Sequence, residues 1–331
     1  MKMAEILPPY NFSELLQIKS TCDFENLAMM AFEFQYAYNE TYRMFCDYMN
    51  AKPDGFLKIP FLPIELFKTH RIVSGSATEK KIFRSSGTTG KIQSSHFLLD
   101  ENIYKESLLE GFVRTFGDPS QYSFLALLPG YVERPDSSLI YMVNELMKKS
   151  VMKHNQFFKY ANNNLLNAIE YNQQNEIKTI LFGVSFSLLE FAEKNPVSLE
   201  RITLIETGGM KGHGEEITRS ELHSVLRDKF KLDEVCSEYG MTELLSQAYC
   251  TKGEEFSLPP WMQVLIREPN DPGNFLTENK VGVINVIDLA NINSCCFIST
   301  GDLGKKTSPN SFEVLGRLDN ADLRGCNLLY L

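Results

Sequence analysis

Ser85-Ser86-Gly87-Thr88-Thr89-Gly90 sets four hydroxyl-bearing residues and two glycines into six positions, directly after the apolar pair Ile82-Phe83. A strand that runs into such a loop can turn backbone N–H groups inward, because glycine reaches φ values that side-chain-bearing residues resist. The serine and threonine hydroxyls add donors to the same concave surface, which then suits the oxygens of a phosphate chain. No Gly-Lys-Ser/Thr follows at the spacing of a Walker loop, so that arrangement is excluded. A loop of this composition serves equally as a plain polar turn, and the choice falls to the residues around it.

Downstream, short apolar runs alternate with helical stretches of ten to fifteen residues. Ser123–Leu128, Thr179–Val184 and Ile202–Glu206 read as buried strands, each stopped by glycine, proline or a polar residue. The stretches 101–116, 137–150, 185–194 and 215–229 read as helices. That rhythm predicts an α/β fold with parallel-rich sheets covered on both faces. Upstream, residues 11–50 carry apolar positions at helical spacing, with Asn11 and Ser20 as caps. The prolines of Ile59-Pro60-Phe61-Leu62-Pro63-Ile64 exclude a helix interior there. From about residue 255 strands continue without long helices: Trp261–Ile266, Val281–Asp288, Cys295–Ser299 and Phe312–Leu315. The expected division is therefore an α/β core with a helical lead over 1–254 and a smaller β subdomain with a tail over 255–331.

Bulk properties narrow the function. A chain of 331 residues with net charge −9 lacks the basic surface that nucleic acid or an anionic membrane face would require. Seven cysteines stand at irregular spacing without a Cys-x-x-Cys pair, which argues against zinc and against a disulfide framework. Met1-Lys2-Met3-Ala4-Glu5 lacks the apolar run of a signal peptide, and no stretch approaches the roughly 20 apolar residues of a membrane span. A cytoplasmic protein is expected.

Ligands of parallel sheets sit beyond the carboxyl ends of the strands. Three motifs are expected at such ends: Ser237-Glu238-Tyr239-Gly240-Met241-Thr242-Glu243, Thr300-Gly301-Asp302 and Gly316-Arg317-Leu318-Asp319. A hydroxyl-and-glycine loop, then Tyr-Gly-x-Thr-Glu, then Thr-Gly-Asp, then Gly-Arg-x-Asp is the motif order of the acyl-adenylate-forming enzymes, which this chain resembles from about residue 83 to 319. Ile59–Ile64, Leu128-Pro129-Gly130-Tyr131 and Glu206-Thr207-Gly208-Gly209-Met210-Lys211-Gly212 look, more narrowly, like the acyl-protein synthetase family of the bacterial bioluminescence fatty-acid reductase complex. The resemblance implies the large N-terminal-type domain of adenylate-forming enzymes, with the mobile C-terminal lysine domain of larger relatives expected to be lacking. Where many relatives continue Gly-x-Pro-Lys, Gly90 is followed by Lys91-Ile92-Gln93.

It also implies a reaction and roles. ATP and Mg²⁺ would convert a carboxylic acid, a fatty acid in the narrower family, into acyl-AMP. The acyl group would then pass to a thiol for an acyl reductase or acyl-carrier partner. Glu243 matches the metal-binding acid, and Thr242 the residue at the α-phosphate. Ser85, Ser86, Gly87, Thr88, Thr89 and Gly90 would cradle the outer phosphates. Gly208, Gly209, Tyr239 and Gly240 match positions flanking the adenine. Asp302 matches the acid on the ribose hydroxyls, and Arg317 a cation beside ribose or phosphate. Lys211 and His213, in a glycine-rich turn after a strand, could face the acyl carboxylate. Cys326, in Leu323-Arg324-Gly325-Cys326-Asn327, fits the family's acyl-carrying thiol. Two rival readings stay open: a ligase that hands the acyl group to coenzyme A or a carrier, and a non-catalytic partner that binds acyl or nucleotide ligands. His96 reads as structural and Glu133-Arg134-Pro135-Asp136 as a surface turn, although the resemblance implies that this region lines the acyl tunnel.

Overall fold

A computed structural model describes residues 6–86, 92–195, 197–208 and 217–318. The described residues form two compact units, one from within 83–93 and 104–256, the other from within 1–82, 94–103 and 257–331.

The first of these units is built on a sheet whose strand order runs Gln156–Phe158, Ser123–Leu127, Thr179–Val184, Ile202–Thr207, Cys236–Tyr239, Ala248–Cys250. Neighbours are parallel up to Cys236–Tyr239, and Ala248–Cys250 joins antiparallel. Every residue of Ser123–Leu127 and Thr179–Val184 is buried, as expected where both faces of a parallel sheet are covered. On one face Leu125, Leu127, Leu181 and Leu204 pack against Leu165, Ile169, Leu188, Phe191, Leu222, Leu226 and Phe230 from the connecting helices. Each fully buried leucine or phenylalanine contributes about 1.5–3 kcal/mol. Those helices are Asn163–Gln174, Ser185–Lys194 and Arg219–Phe230. Thr218 and Glu221 close a reciprocal capping box at the start of the last. Gly183 is obligatory, since a side-chain carbon there would overlap Leu188.

The other unit joins the N-terminal helices to the C-terminal strands. Met262–Arg267, Val281–Asp288, Phe297–Ser308 and Ser311–Arg317 form an antiparallel meander, and Leu62–Pro63 adds in parallel to Phe297–Ser308. The helices Phe12–Leu15 and Thr21–Tyr38 start at Asn11 and Ser20, the expected caps, each with a capping box. Buried polar side chains explain why this lead groups with the strands rather than with the parallel sheet. Gln35 Nε2 donates to the Asn291 and Ile292 carbonyls at 3.2 and 3.0 Å, and its Oε1 accepts from Cys296 N at 2.9 Å. Asn39 Nδ2 donates to the Ser294 carbonyl at 2.9 Å, and Tyr10 Oη to the Leu289 carbonyl at 3.0 Å. Buried amides without such partners would carry their desolvation cost unrelieved.

Two local expectations change. Thr300-Gly301-Asp302 lies inside a long strand rather than beyond its end, because pairing with both neighbours carries Phe297–Ser308 through the motif. A strand, Gln156–Phe158, and a helix, Asn163–Gln174, fill the stretch between 150 and 179. Half of the helix sequence is amide side chains, and its buried stripe is only Leu165, Ile169 and Asn172.

Candidate active site

The strands Ile202–Thr207 and Cys236–Tyr239 lie side by side and in parallel, with Glu206 opposite Ser237 and Thr207 opposite Glu238. Since side chains alternate across a sheet, these pairs occupy opposite faces.

On the first face Glu206 gathers three groups. Ser185 Oγ, at the start of its helix, donates to Glu206 Oε2 at 2.9 Å and lies 2.5 Å from the Gly208 carbonyl. Ser237 Oγ donates to Glu206 Oε1 at 3.1 Å. His223 Nε2, from the helix Arg219–Phe230, lies 3.1 Å from Ser237 Oγ and 3.7 Å from Glu206 Oε1. With its single proton given to Glu206, Ser237 accepts from His223, which sets the proton on Nε2. Glu206, Ser237, His223 and Ser185 are all at most 5% exposed. This chain of bonds fixes the end of the strand at Gly208, whose φ of +72° favours glycine.

On the second face Thr207 Oγ1 donates to Glu238 Oε2. Glu238 is buried, and burial pushes its carboxyl up to about 7, with the Thr207 hydrogen bond opposing and the Glu206 charge reinforcing the shift. A side-chain carbon at Gly240 would collide with Glu238 Oε1, so any other residue there would displace the Glu238 carboxylate. Tyr239 is 8% exposed and its ring lies 5.8 Å from Phe256. The turn that follows carries Thr242 and the buried Glu243, with Leu244 N donating to the Met241 carbonyl at 3.2 Å.

The stem of the hydroxyl-rich loop belongs to this same unit. Phe83 is fully buried, with its ring edge-on to Tyr104 and Tyr141 at 5.4 and 5.3 Å. Ser85 and Ser86 are half-buried. Arg134 Nη2 donates to the carbonyls of Arg84 and Ser85, both at 3.0 Å, and Gln93 Nε2 donates to the Ser85 carbonyl at 2.9 Å. Arg84 N donates to the Asp136 carbonyl at 2.9 Å, and Asp136 faces Arg134 Nε at 3.5 Å. The turn Glu133–Asp136, expected to be plain surface, thus holds Arg84 and Ser85 in the stem; a planar fork of N–H donors suits two adjacent carbonyls. Gly87, Thr88, Thr89, Gly90 and Lys91 lie outside the described residues, as do Gly209, Lys211, His213 and Cys326.

In the other unit Asp302 and Arg317 face each other across the ladder, Nε to Oδ1 at 3.4 Å. The Asp302 side chain is 13% exposed and that of Arg317 86%. Such a pair contributes at most about 1 kcal/mol. Thr300 Oγ1 donates to the Ile284 carbonyl at 2.8 Å and accepts from Asp302 N at 3.2 Å, which fixes the backbone under the acid. His96 Nε2 lies 3.0 Å from Asn291 Oδ1 and packs edge-on to Phe67, the structural role expected of it.

Cys22, Cys46, Cys236, Cys250, Cys295 and Cys296 are free thiols, all but Cys22 buried. Burial pushes Cys46 and Cys236 up to about 12, so neither supplies a thiolate near neutral pH. No cluster of three or more His, Cys, Asp or Glu able to hold a metal occurs among the described residues. The donor type of Glu243 nonetheless fits Mg²⁺, a hard cation commonly held by one or two carboxylates together with substrate phosphates. Ser185 and His223 stand in no motif, and Glu206, Glu238 and Arg134, though inside stretches read from sequence, take their roles from these contacts rather than from the motifs. No helix among the described residues is long and apolar enough to cross a membrane.

Neither a protein-family model nor a curated protein matches the chain. Its fold does match solved structures. ATP-bound MatB from Rhodopseudomonas palustris aligns with a TM-score of 0.55 over 74% of this chain and 49% of its own, at 17% identity. Amide bond synthetase McbA from Marinactinospora thermotolerans aligns at 0.52 over 72% and 49%, also at 17% identity. An open conformation of 2-hydroxyisobutyryl-CoA ligase, in complex with 2-HIB-AMP and CoA, aligns at 0.64 over 90% and 70%, at 10% identity. The chain has the mixed α/β fold of the large domain of adenylate-forming enzymes. It spans about half the length of MatB and McbA.

Proposed function

We propose that this protein uses ATP to activate a carboxylic acid as an acyl-adenylate and then passes the acyl group to a thiol. In the first step a carboxylate oxygen bonds to the α-phosphorus, and the bond to the oxygen bridging the α- and β-phosphorus breaks, releasing pyrophosphate. In the second a thiolate attacks the acyl carbon, a thioester forms and AMP leaves. The fold likeness carries this reading: chains that hold ATP or an acyl-AMP share the architecture on which the motif residues stand. Two anions must be brought together, so positioning and charge neutralisation supply most of the acceleration.

In this scheme Glu243 would hold Mg²⁺, which supplies positive charge against the phosphates when bound. Thr242 contacts the α-phosphate, and Ser85 through Gly90 receive the outer phosphates on a stem held by Arg134. Tyr239, Gly240, Gly208 and Gly209 flank the adenine, while Asp302 and Arg317 take the ribose side. Lys211 and His213 serve the acyl carboxylate. Cys326 is the acceptor, a fatty acid the substrate and an acyl reductase the recipient, as the narrower resemblance implies. A second reading, transfer to coenzyme A, is supported by the 2-hydroxyisobutyryl-CoA ligase complex, which holds both an acyl-AMP and CoA.

The test is acid-dependent exchange of pyrophosphate into ATP over a panel of acids. Glu243→Gln is expected to abolish exchange, and near-normal exchange would remove it as the metal ligand. Cys326→Ser is expected to keep exchange and lose a hydroxylamine-labile acyl label on the protein. A retained label, or free acyl-CoA formed with Cys326 unmodified, would assign the acceptor elsewhere.

A further inference from the structure

The sheet face that carries Glu238 holds polar atoms that no described residue satisfies. Glu238 stands opposite Tyr249 across the antiparallel ladder, which places the two side chains on one face about 5 Å apart at their roots. Tyr249 is 2% exposed, and its hydroxyl has no hydrogen-bond partner among the described residues. Gln247, two positions earlier and so directed to the same side, is 5% exposed, and its Oε1 is likewise without a partner. Glu238 and Gln247 converge above Gly240. A side-chain carbon built at that glycine would lie 3.4 Å from both Gln247 Cγ and Glu238 Cδ. Thr207 holds Glu238 Oε2, and Oε1 fills the space that the missing side chain of Gly240 leaves.

Buried polar groups in folded proteins are almost always paired, so a cluster of unpaired ones marks a place where a partner arrives. Gln247 Oε1 only accepts, as does the Glu238 carboxylate once ionised, and the Tyr249 hydroxyl can accept as well. The complementary partner is a hydrogen-bond donor. The cluster lies at the carboxyl end of Cys236–Tyr239, where ligands of parallel sheets bind. We propose that Glu238, Gln247 and Tyr249 form a subsite for a hydroxyl or protonated amine carried by the carboxylic acid substrate. This rests on the acid-activation reading and sharpens its substrate class. A plain alkyl chain would leave these atoms buried and unpaired, so a substituted acid is preferred to the unsubstituted fatty acid that the family resemblance implies. The adenine amine of ATP is a donor of the same chemistry, and the experiment separates the two.

Pyrophosphate exchange is measured with alkanoic acids and with hydroxy- and amino-substituted acids of equal chain length, for wild type, Gln247→Leu and Tyr249→Phe. Tyr249→Phe deletes one oxygen and keeps the ring against Phe116, 5.2 Å away, so the packing survives. Wild type is expected to favour a substituted acid at least about tenfold in kcat/KM, with both variants lowering that ratio. A wild-type preference for unsubstituted acids would overturn the subsite, as would an equal loss for every acid in both variants. A changed preference for ATP over inosine triphosphate, with acid selectivity unmoved, would assign the cluster to the adenine amine and overturn it too. Absence of exchange with every acid would instead overturn the activation reading. Calorimetric binding of a substituted acid to wild type, lost in Gln247→Leu, would then still support the subsite, and no binding would end it.

Discussion

Replacing Glu206 with alanine withdraws the acceptor on which Ser185, Ser237 and His223 converge, at 2.9, 3.1 and 3.7 Å. A hydrogen bond to a charged acceptor contributes about 1.5–3 kcal/mol, and two such bonds are lost. Part of the loss is recovered locally. Ser185 keeps the Gly208 carbonyl at 2.5 Å, and Ser237 keeps His223 at 3.1 Å. The expected destabilisation is therefore about 3 kcal/mol, the low end of the sum. For a unit of this size that lowers Tm by about 6–12 °C. Glu206→Gln retains one acceptor oxygen and presents its amide to a hydroxyl that can accept, so its cost should be about 1 kcal/mol. Thermal unfolding followed by far-ultraviolet circular dichroism is the assay. Tryptophan fluorescence is unsuitable because the chain's single tryptophan, Trp261, belongs to the other unit. A Glu206→Ala melting point within about 2 °C of wild type would refute the reasoning, as would Glu206→Gln proving as damaging as alanine.

Glu238 gives a pH dependence of defined sign. Burial pushes its carboxyl up to about 7, whereas an exposed glutamate releases its proton near ~4.3. The folded form thus keeps a proton that the unfolded chain has lost. Stability from this group is full below the unfolded value and falls by about 1.4 kcal/mol per pH unit as pH rises toward 7, roughly 4 kcal/mol in all. Glu238→Gln should flatten the fall in denaturant midpoint between about pH 4 and about pH 7, and an unchanged slope would exclude Glu238 as its source. Arg134→Ala removes the donors to the Arg84 and Ser85 carbonyls, together about 1.5 kcal/mol of loop order, so KM for ATP in exchange should rise about tenfold. Lysine should restore only part, being a single point donor. A lowered Tm with KM unmoved would make Arg134 a stability residue and nothing more.

The α/β rhythm was legible because fully buried strands leave apolar runs of strand length. Thr179–Val184 and Val281–Asp288 are found with the ends read from sequence, and the helices Glu101–Phe116 and Ser185–Lys194 likewise. The helix Asn163–Gln174 left no such trace, since its burial rests on residues set among amides whose face only packing decides. The allegiance of the N-terminal helices was hidden for a related reason. Gln35 and Asn39 look like surface residues until backbone some 255 residues away supplies their partners.

The site divides along the same line. Glu243, Asp302 and the glycines stand in short strings, so their spacing carried the signal. Glu206, Ser185 and His223 are joined only through space, across 14 to 31 residues, and each alone is an ordinary polar residue of a strand or helix. Arg134 was read as surface because Glu-Arg-Pro-Asp is a typical turn, and its work depends on carbonyls 49 and 50 residues earlier. Gln247 and Tyr249 are the extreme case. Their significance lies in hydrogen bonds that the described residues do not make, a property no sequence pattern encodes. An oxygen held out of water without a donor is unfavourable unless something else in the working protein supplies one. At Gly240 even a methyl group would displace Glu238 Oε1, the acceptor that sits in the space the glycine leaves.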